Sequence, residues 1–136
     1  MTTRSTVMKT YVRTVLVVFA AYEIILGLWL TIVPKTFYDH VPTVNWTPPY
    51  SDHLFHDFGG ATLGLGIVLT AAAIRFDRFL TTVALLAYLA YAVPHLFFHL
   101  GHLEGDESGW SIALAVVLAL SALIPASAVV AARTMT

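Results

Sequence analysis

The chain contains no cysteine. That absence removes disulfide bonds, thiolate metal sites and thiol nucleophiles. Charge is nearly as scarce. Lys and Arg total 7 and Asp and Glu total 8 among 136 residues, for a net charge of −1. No basic patch offers a footprint for nucleic acid. There is also no low-complexity segment, no internal repeat and no sign of a domain boundary, so residues 1–136 read as a single domain.

What is present is apolar. Hydrophobic residues make up 58% of the chain, more than a soluble domain of this size readily hides. They gather in four runs, about 12–33, 52–74, 79–101 and 110–132. Each has about the ~20 residues that carry a helix across a ~30 Å hydrocarbon layer. The expected fold is all-α, a four-transmembrane-helix bundle. Arg4, Lys9 and Arg13 precede the first run as they would a signal peptide. That run is too long for a signal h-region and ends at Pro34 without a clear A-x-A site, so it reads as a retained helix.

Charge sets the expected orientation. Arg4, Lys9, Arg13, Arg75, Arg78 and Arg133 fall on one side, and Lys35, Asp39, Glu104, Asp106 and Glu107 on the other. The positive-inside rule then makes both termini cytoplasmic. The turn at Arg75–Arg78 is minimal and forces the second and third helices into an antiparallel hairpin. The outward loop 34–50 interleaves Pro34, Pro42, Pro48 and Pro49 with Phe37, Tyr38, Trp46 and Tyr50. It reads either as a proline-stiffened loop in the aromatic belt or as a lid over the outer mouth. Ser51 suits the N-cap of the second helix.

Five of the six histidines lie at the outward ends of these runs. His53 and His56 stand beside Asp57, and His95, His99 and His102 are spaced i, i+4, i+7. The hairpin supplies a register. His53 and His99 each lie 23 residues from Phe76, and Asp57 and His95 each lie 19. Two facing tiers are therefore expected, ~3 Å and ~9 Å below the outer end at 1.5 Å per residue. Within each helix the two members share a face. Imidazole and carboxylate at this spacing suit zinc first, with iron or copper next. The expected metal set is His53, Asp57, His95 and His99. Glu23, mid-way along the first helix, is a deeper candidate as ligand, as proton relay or as a protonated structural group. His102 is a further ligand or relay candidate, and His56 stands at the margin. His40 has no assigned role. A plainer reading makes the histidines an interfacial belt, with Asp57 and His95 as a hydrogen-bonded pair.

Two packing signals accompany the cluster. Gly60-x-x-x-Gly64 invites close approach of the first helix or of a second copy. Pro94 removes a helical hydrogen bond just before His95, and a kink there would aim that ring inward. The segments 52–60 with Gly64-Leu65-Gly66, and 92–103, resemble small four-helix membrane proteins of actinobacteria, broadly DoxX-like in layout. The resemblance implies the same fold and a bacterial inner-membrane setting, and it brings no established reaction.

Three functional classes follow. The first is a membrane metalloprotein with a His/Asp site near the extracytoplasmic face, acting on a lipid-like substrate if it is an enzyme. The second is a b-type haem protein, with His53 or His56 opposite His95 or His99. The third is a non-catalytic accessory or assembly subunit that meets a copy of itself or a larger complex through the Gly60–Gly64 face.

Overall fold

The computed structural model describes residues 3–46, 48–103 and 108–133. These form five helices and no strand. They are α1 (Thr3–Ile32), α2 (Pro34–His40), α3 (Asp52–Arg75), α4 (Arg78–Gly101) and α5 (Ser108–Ala132). All except α2 are long and apolar enough to cross a membrane, which marks an integral membrane protein. Glu104, Asp106 and Glu107, part of the orientation argument, lie outside the described residues.

Two boundaries differ from expectation. α1 begins at Thr3 rather than near residue 12. No Gly or Pro interrupts residues 3–11, and a helix need not stop where its apolar run does. The segment 34–40, expected as loop, is helical. Pro34 occupies its first turn, where a missing N–H costs nothing. Lys35 pairs with Asp39 one turn on, and the Trp29 indole N–H donates to Thr36 Oγ1 at 2.7 Å.

The turn between α3 and α4 is closed by short-range chemistry. Phe76 takes the left-handed conformation (φ 52°) that ends α3. Asp77 accepts the Leu80 N–H at 2.9 Å as N-cap of α4 and pairs with Arg75 at 2.7 Å. The Leu80 N–H, with Arg75 added, holds the Asp77 carboxyl below the usual aspartate range. Ser51 caps α3 as expected, its Oγ accepting from the Leu54 N–H at 3.4 Å.

α1 and α3 form the tightest pair. A Cβ on Gly27 would stand 2.8 Å from the Leu63 nitrogen. One on Gly59 would meet Thr31, and one on Gly66 would meet Ile24 at 2.8 Å. Gly60 and Gly64, the expected close-approach pair, have nothing within 4 Å of such a Cβ. α1 is therefore not their partner. It packs on the stripe Gly59–Thr62–Gly66–Leu69–Ala73, all buried.

At the end bearing the Arg75–Arg78 turn the helices close on one another. Val12, Leu16, Leu69, Ala72, Leu85, Ala128 and Ala132 are buried there. Arg13 ties α1 to α3 by donating from Nε to the Ala73 carbonyl at 3.1 Å. The Tyr11 hydroxyl meets Ser127 Oγ, joining α1 to α5.

Candidate functional site

The opposite end, beneath α2, is open inside. A cavity of about 510 Å³ lies among all five helices, within the size range of small-molecule sites. Seven aromatic rings line it, from Tyr22, Phe37, Phe55, Phe58, Tyr91, Phe98 and Trp110. Val41, Pro42, Thr43, Val44 and Pro48 of the α2–α3 loop complete the wall. Among the lining residues there is no Lys, Arg, Asp or Glu. His95 and His99 are the ionisable imidazoles that line it.

The loop is held in place by rings. Phe55 of α3 touches Phe37, Tyr38 and Tyr50 at centroid distances of 6.2, 5.8 and 5.4 Å. Lys35 lies over both Tyr38 and Tyr50. Tyr50 donates to Asp52 at 2.7 Å. That bond, ahead of burial and the nearby acidic charges, pushes the Tyr50 phenol up to about 12. Thr43 sits in the left-handed region at φ 75°, an uncommon place for a β-branched residue. The segment read as either aromatic belt or lid therefore contributes directly to the cavity wall.

α4 brings its histidines inward by simple periodicity. Thr81, Ala84, Leu85, Tyr88 and Ala92 are its buried positions. At 100° per residue, His95 and His99 fall within roughly 40° of that stripe. Tyr91 stacks on His95 at 5.1 Å, and His95 meets His99 edge-on at 4.6 Å. His102 stacks on Phe98 at 4.3 Å at the exposed end of the helix. Pro94 lies inside a helix that runs unbroken to Gly101.

α3 carries its polar residues the other way. His53 Nε2 and Asp57 Oδ2 are 3.3 Å apart, with side chains 89% and 67% exposed. His56 Nδ1–H donates to the Asp52 carbonyl at 2.8 Å, also on an exposed face. The physical reason is rotation about the helix axis. The stripe that meets α1 fixes which face of α3 turns inward, and His53 and Asp57 lie roughly half a turn from it. The four residues expected to converge stand instead as two pairs, one on an outer face and one on the cavity wall. Among the described residues no group of three or more His, Asp or Glu side chains is placed to hold a metal ion. His53 and His56 likewise do not line the cavity that His95 and His99 line.

Glu23 lies deeper. It is 1% exposed, and neither carboxylate oxygen has a hydrogen-bond partner among the described residues. Its Cβ stands against Gly66 of α3. It is not among the cavity-lining residues, although its chain neighbour Tyr22 is.

Sequence reasoning passed over most of the lining rings. Their signal was available. Phe55 and Phe58 share the Gly59–Gly66 face of α3, and Tyr91 and Phe98 flank the two histidines on α4. Comparison with protein-family models, with curated protein sequences and with solved structures finds no match to this chain.

Proposed function

We propose that this membrane protein binds a lipid-like amphiphile in the cavity beneath α2, with His95 and His99 meeting its polar part. The observation that carries the reading is the lining itself. A largely apolar and aromatic wall with two convergent polar groups is the usual makeup of a small-molecule site. The wall carries no full charge, which suits a ligand that is mostly hydrocarbon or ring. Neutral imidazole can donate from one nitrogen and accept at the other, so a hydroxyl, carbonyl or ester would be recognised without a buried ion pair. We further infer that both termini are cytoplasmic. Lys9, Arg13, Arg75, Arg78 and Arg133 lie toward one end of the bundle and Lys35 toward the other. On that orientation the cavity sits in the outer leaflet, and its occupant comes from the bilayer or beneath the loop.

Trp110 lines the cavity and reports on its contents. The test is quenching of Trp fluorescence by a spin-labelled lipid, titrated into purified protein in detergent. Trp29 and Trp46 are replaced by Phe so that Trp110 is the one emitter. Saturable quenching is expected, and Ala113→Phe, which adds a ring to the wall, should abolish it. Quenching that rises linearly without saturation, or that survives Ala113→Phe unchanged, sinks the reading. Elemental analysis of the same sample checks the rival chemistry, because a stoichiometric metal lost in His95→Ala would replace amphiphile binding as the leading function.

A further inference from the structure

Glu23 is the one carboxylate buried among the described residues, and neither the turn nor the cavity lining explains it. Among the described residues its two oxygens have no hydrogen-bond partner. A charged carboxylate is expensive at membrane depth unless something neutralises it. The surrounding elements offer no counter-charge. α3 presents Gly66. α4 presents Tyr88 and Tyr91, and α1 its own Tyr22, all within electrostatic range. α5 places Ser121 against Tyr88. None of these groups is a cation, and none is a second carboxylate; the phenols among them can pass a proton but hold none in place of Glu23 at neutral pH. The ligand that fits such a site is a proton.

A proton also needs a route, and the route is built on one side only. Toward the Arg75–Arg78 turn the bundle is sealed by Leu16, Ala20, Leu69, Leu85 and Ala128, all buried and apolar. Toward α2 there is a ladder of proton-carrying rings on one face of α4. Tyr91 stacks on His95, and His95 abuts His99. His102 lies one turn further, at the exposed helix end. Tyr91, His95 and His99 all line the cavity. Water can bridge the spaces between rings. Each imidazole can take a proton on one nitrogen and release another from the second.

We propose that Glu23 is a proton-binding site served from the α2 end of the bundle through His99, His95 and Tyr91. The step is a simple protonation. A hydronium ion at the mouth gives up one proton, the ladder and its water pass one proton inward, and the carboxylate becomes a carboxylic acid. No electron moves and no bond other than O–H or N–H changes. The reverse sequence returns the proton to the same side. The route through water needs the cavity free of amphiphile, whereas the protonation of Glu23 does not, so the carboxyl band and amphiphile binding can fail independently.

The test is infrared difference spectroscopy of the full chain in vesicles selected for one orientation. A protonated-carboxyl band is expected, shifted in D₂O and missing in Glu23→Gln. After a pH step in impermeant buffer on one side, the band should change faster from the α2 side. The difference should be about a hundredfold, the low end of what a positioned proton carrier contributes. The double variant Tyr91→Phe/His95→Phe should slow the α2-side response by a similar factor while leaving the band in place. Glu23→Gln is close to isosteric, and sidedness is read on the unmodified protein, so a poorly folding variant does not remove the test. The proposal is overturned by a wild-type chain with no such band, by a band that persists in Glu23→Gln, or by equal response from both sides. An unchanged rate in the double variant overturns the assigned route.

Discussion

At the Arg75–Arg78 end, Val12, Leu16, Leu69, Ala72, Ala128 and Ala132 are buried against one another. At the α2 end, Phe55, Phe58, Tyr91 and Trp110 stand around open space. The same four spanning helices build both ends, so the difference lies in side-chain size along the core faces. Small residues let backbones approach and leave no room between them. Rings hold backbones apart, as Phe58 does against Tyr91 at 5.6 Å. The comparison ties the cavity to side-chain size. The cavity follows from changing alanine to aromatic along stripes that are otherwise continuous.

The strongest way to break the comparison is at the glycines that fix the α1–α3 pair. Gly66→Leu would drive its side chain into Ile24, where a Cβ alone already stands 2.8 Å from a side-chain carbon and 3.1 Å from the backbone nitrogen. A loss of about 3 kcal/mol or more is expected, at the upper end of overpacking costs. Gly64→Leu, two residues away, enters open space and should change stability by less than about 0.5 kcal/mol. Unfolding of both variants in mixed detergent micelles, followed by circular dichroism, measures the contrast. Equal effects would mean that the inward face of α3 is wrongly assigned.

Removing volume from the closed end comes next. Leu69→Ala deletes a side chain with no exposed surface and should cost about 2–4 kcal/mol. Ala113→Leu adds volume to the open end. It should cost less than about 1 kcal/mol, because the cavity accepts it without displacing backbone. The same unfolding assay reads both. A costly Ala113→Leu would show that the space beneath α2 is already filled by neighbouring side chains.

The histidines show how much of this was legible in the chain. The four spanning helices, the hairpin and the Ser51 cap follow from local signals, namely apolar runs, a four-residue turn and a serine ahead of the second run, whereas the short α2 and the early start of α1 do not. Counting from Phe76 gives an expected height in an antiparallel pair, and height is all it gives. Rotation was not legible. Two facing helices at known height can turn any pair of faces together, and the choice depends on which glycines meet a third helix. Gly60-x-x-x-Gly64 has the familiar spacing, yet Gly59 and Gly66 make the contact. Gly60 and Gly64 share their side of α3 with His53 and Asp57, so the same rotation carries all four outward. On α4 the stripe from Thr81 to Ala92 already pointed at His95 and His99. Glu23 was legible as a buried acid from its apolar neighbours, while its lack of any partner was not.

A smaller effect separates the two pairs. His53→Ala removes half of an exposed pair and should move stability by less than about 0.5 kcal/mol. It should also leave Trp110 quenching unchanged. His95→Ala should weaken lipid-dependent quenching about tenfold, the cost of one lost polar contact of about 1.4 kcal/mol. Matched loss in the two variants would mean that α3 contributes to the site after all.

The smallest effect concerns the two helix starts, one at each end. α4 is capped by a carboxylate, Asp77, and α3 by a hydroxyl, Ser51. The Asp77 carboxyl is held below the ordinary aspartate range, first by the Leu80 N–H and then by Arg75. A lowered folded value means that the unfolded chain binds the proton more readily. The contribution is therefore complete above the ordinary aspartate range and fades as pH falls through the lowered value. Ser51 has no charge to lose, so its cap is insensitive over the same interval. Hydrogen exchange at the Leu80 and Leu54 amides, corrected for intrinsic rates and followed from about pH 5 down to about pH 2, reads the two caps side by side. Leu80 should lose protection as pH falls while the Leu54 cap holds. Asp77→Asn keeps an acceptor oxygen without the charge, so it should flatten the Leu80 profile. A pH-dependent Leu80 in that variant would place the titrating group elsewhere and leave the closed end without its charged cap.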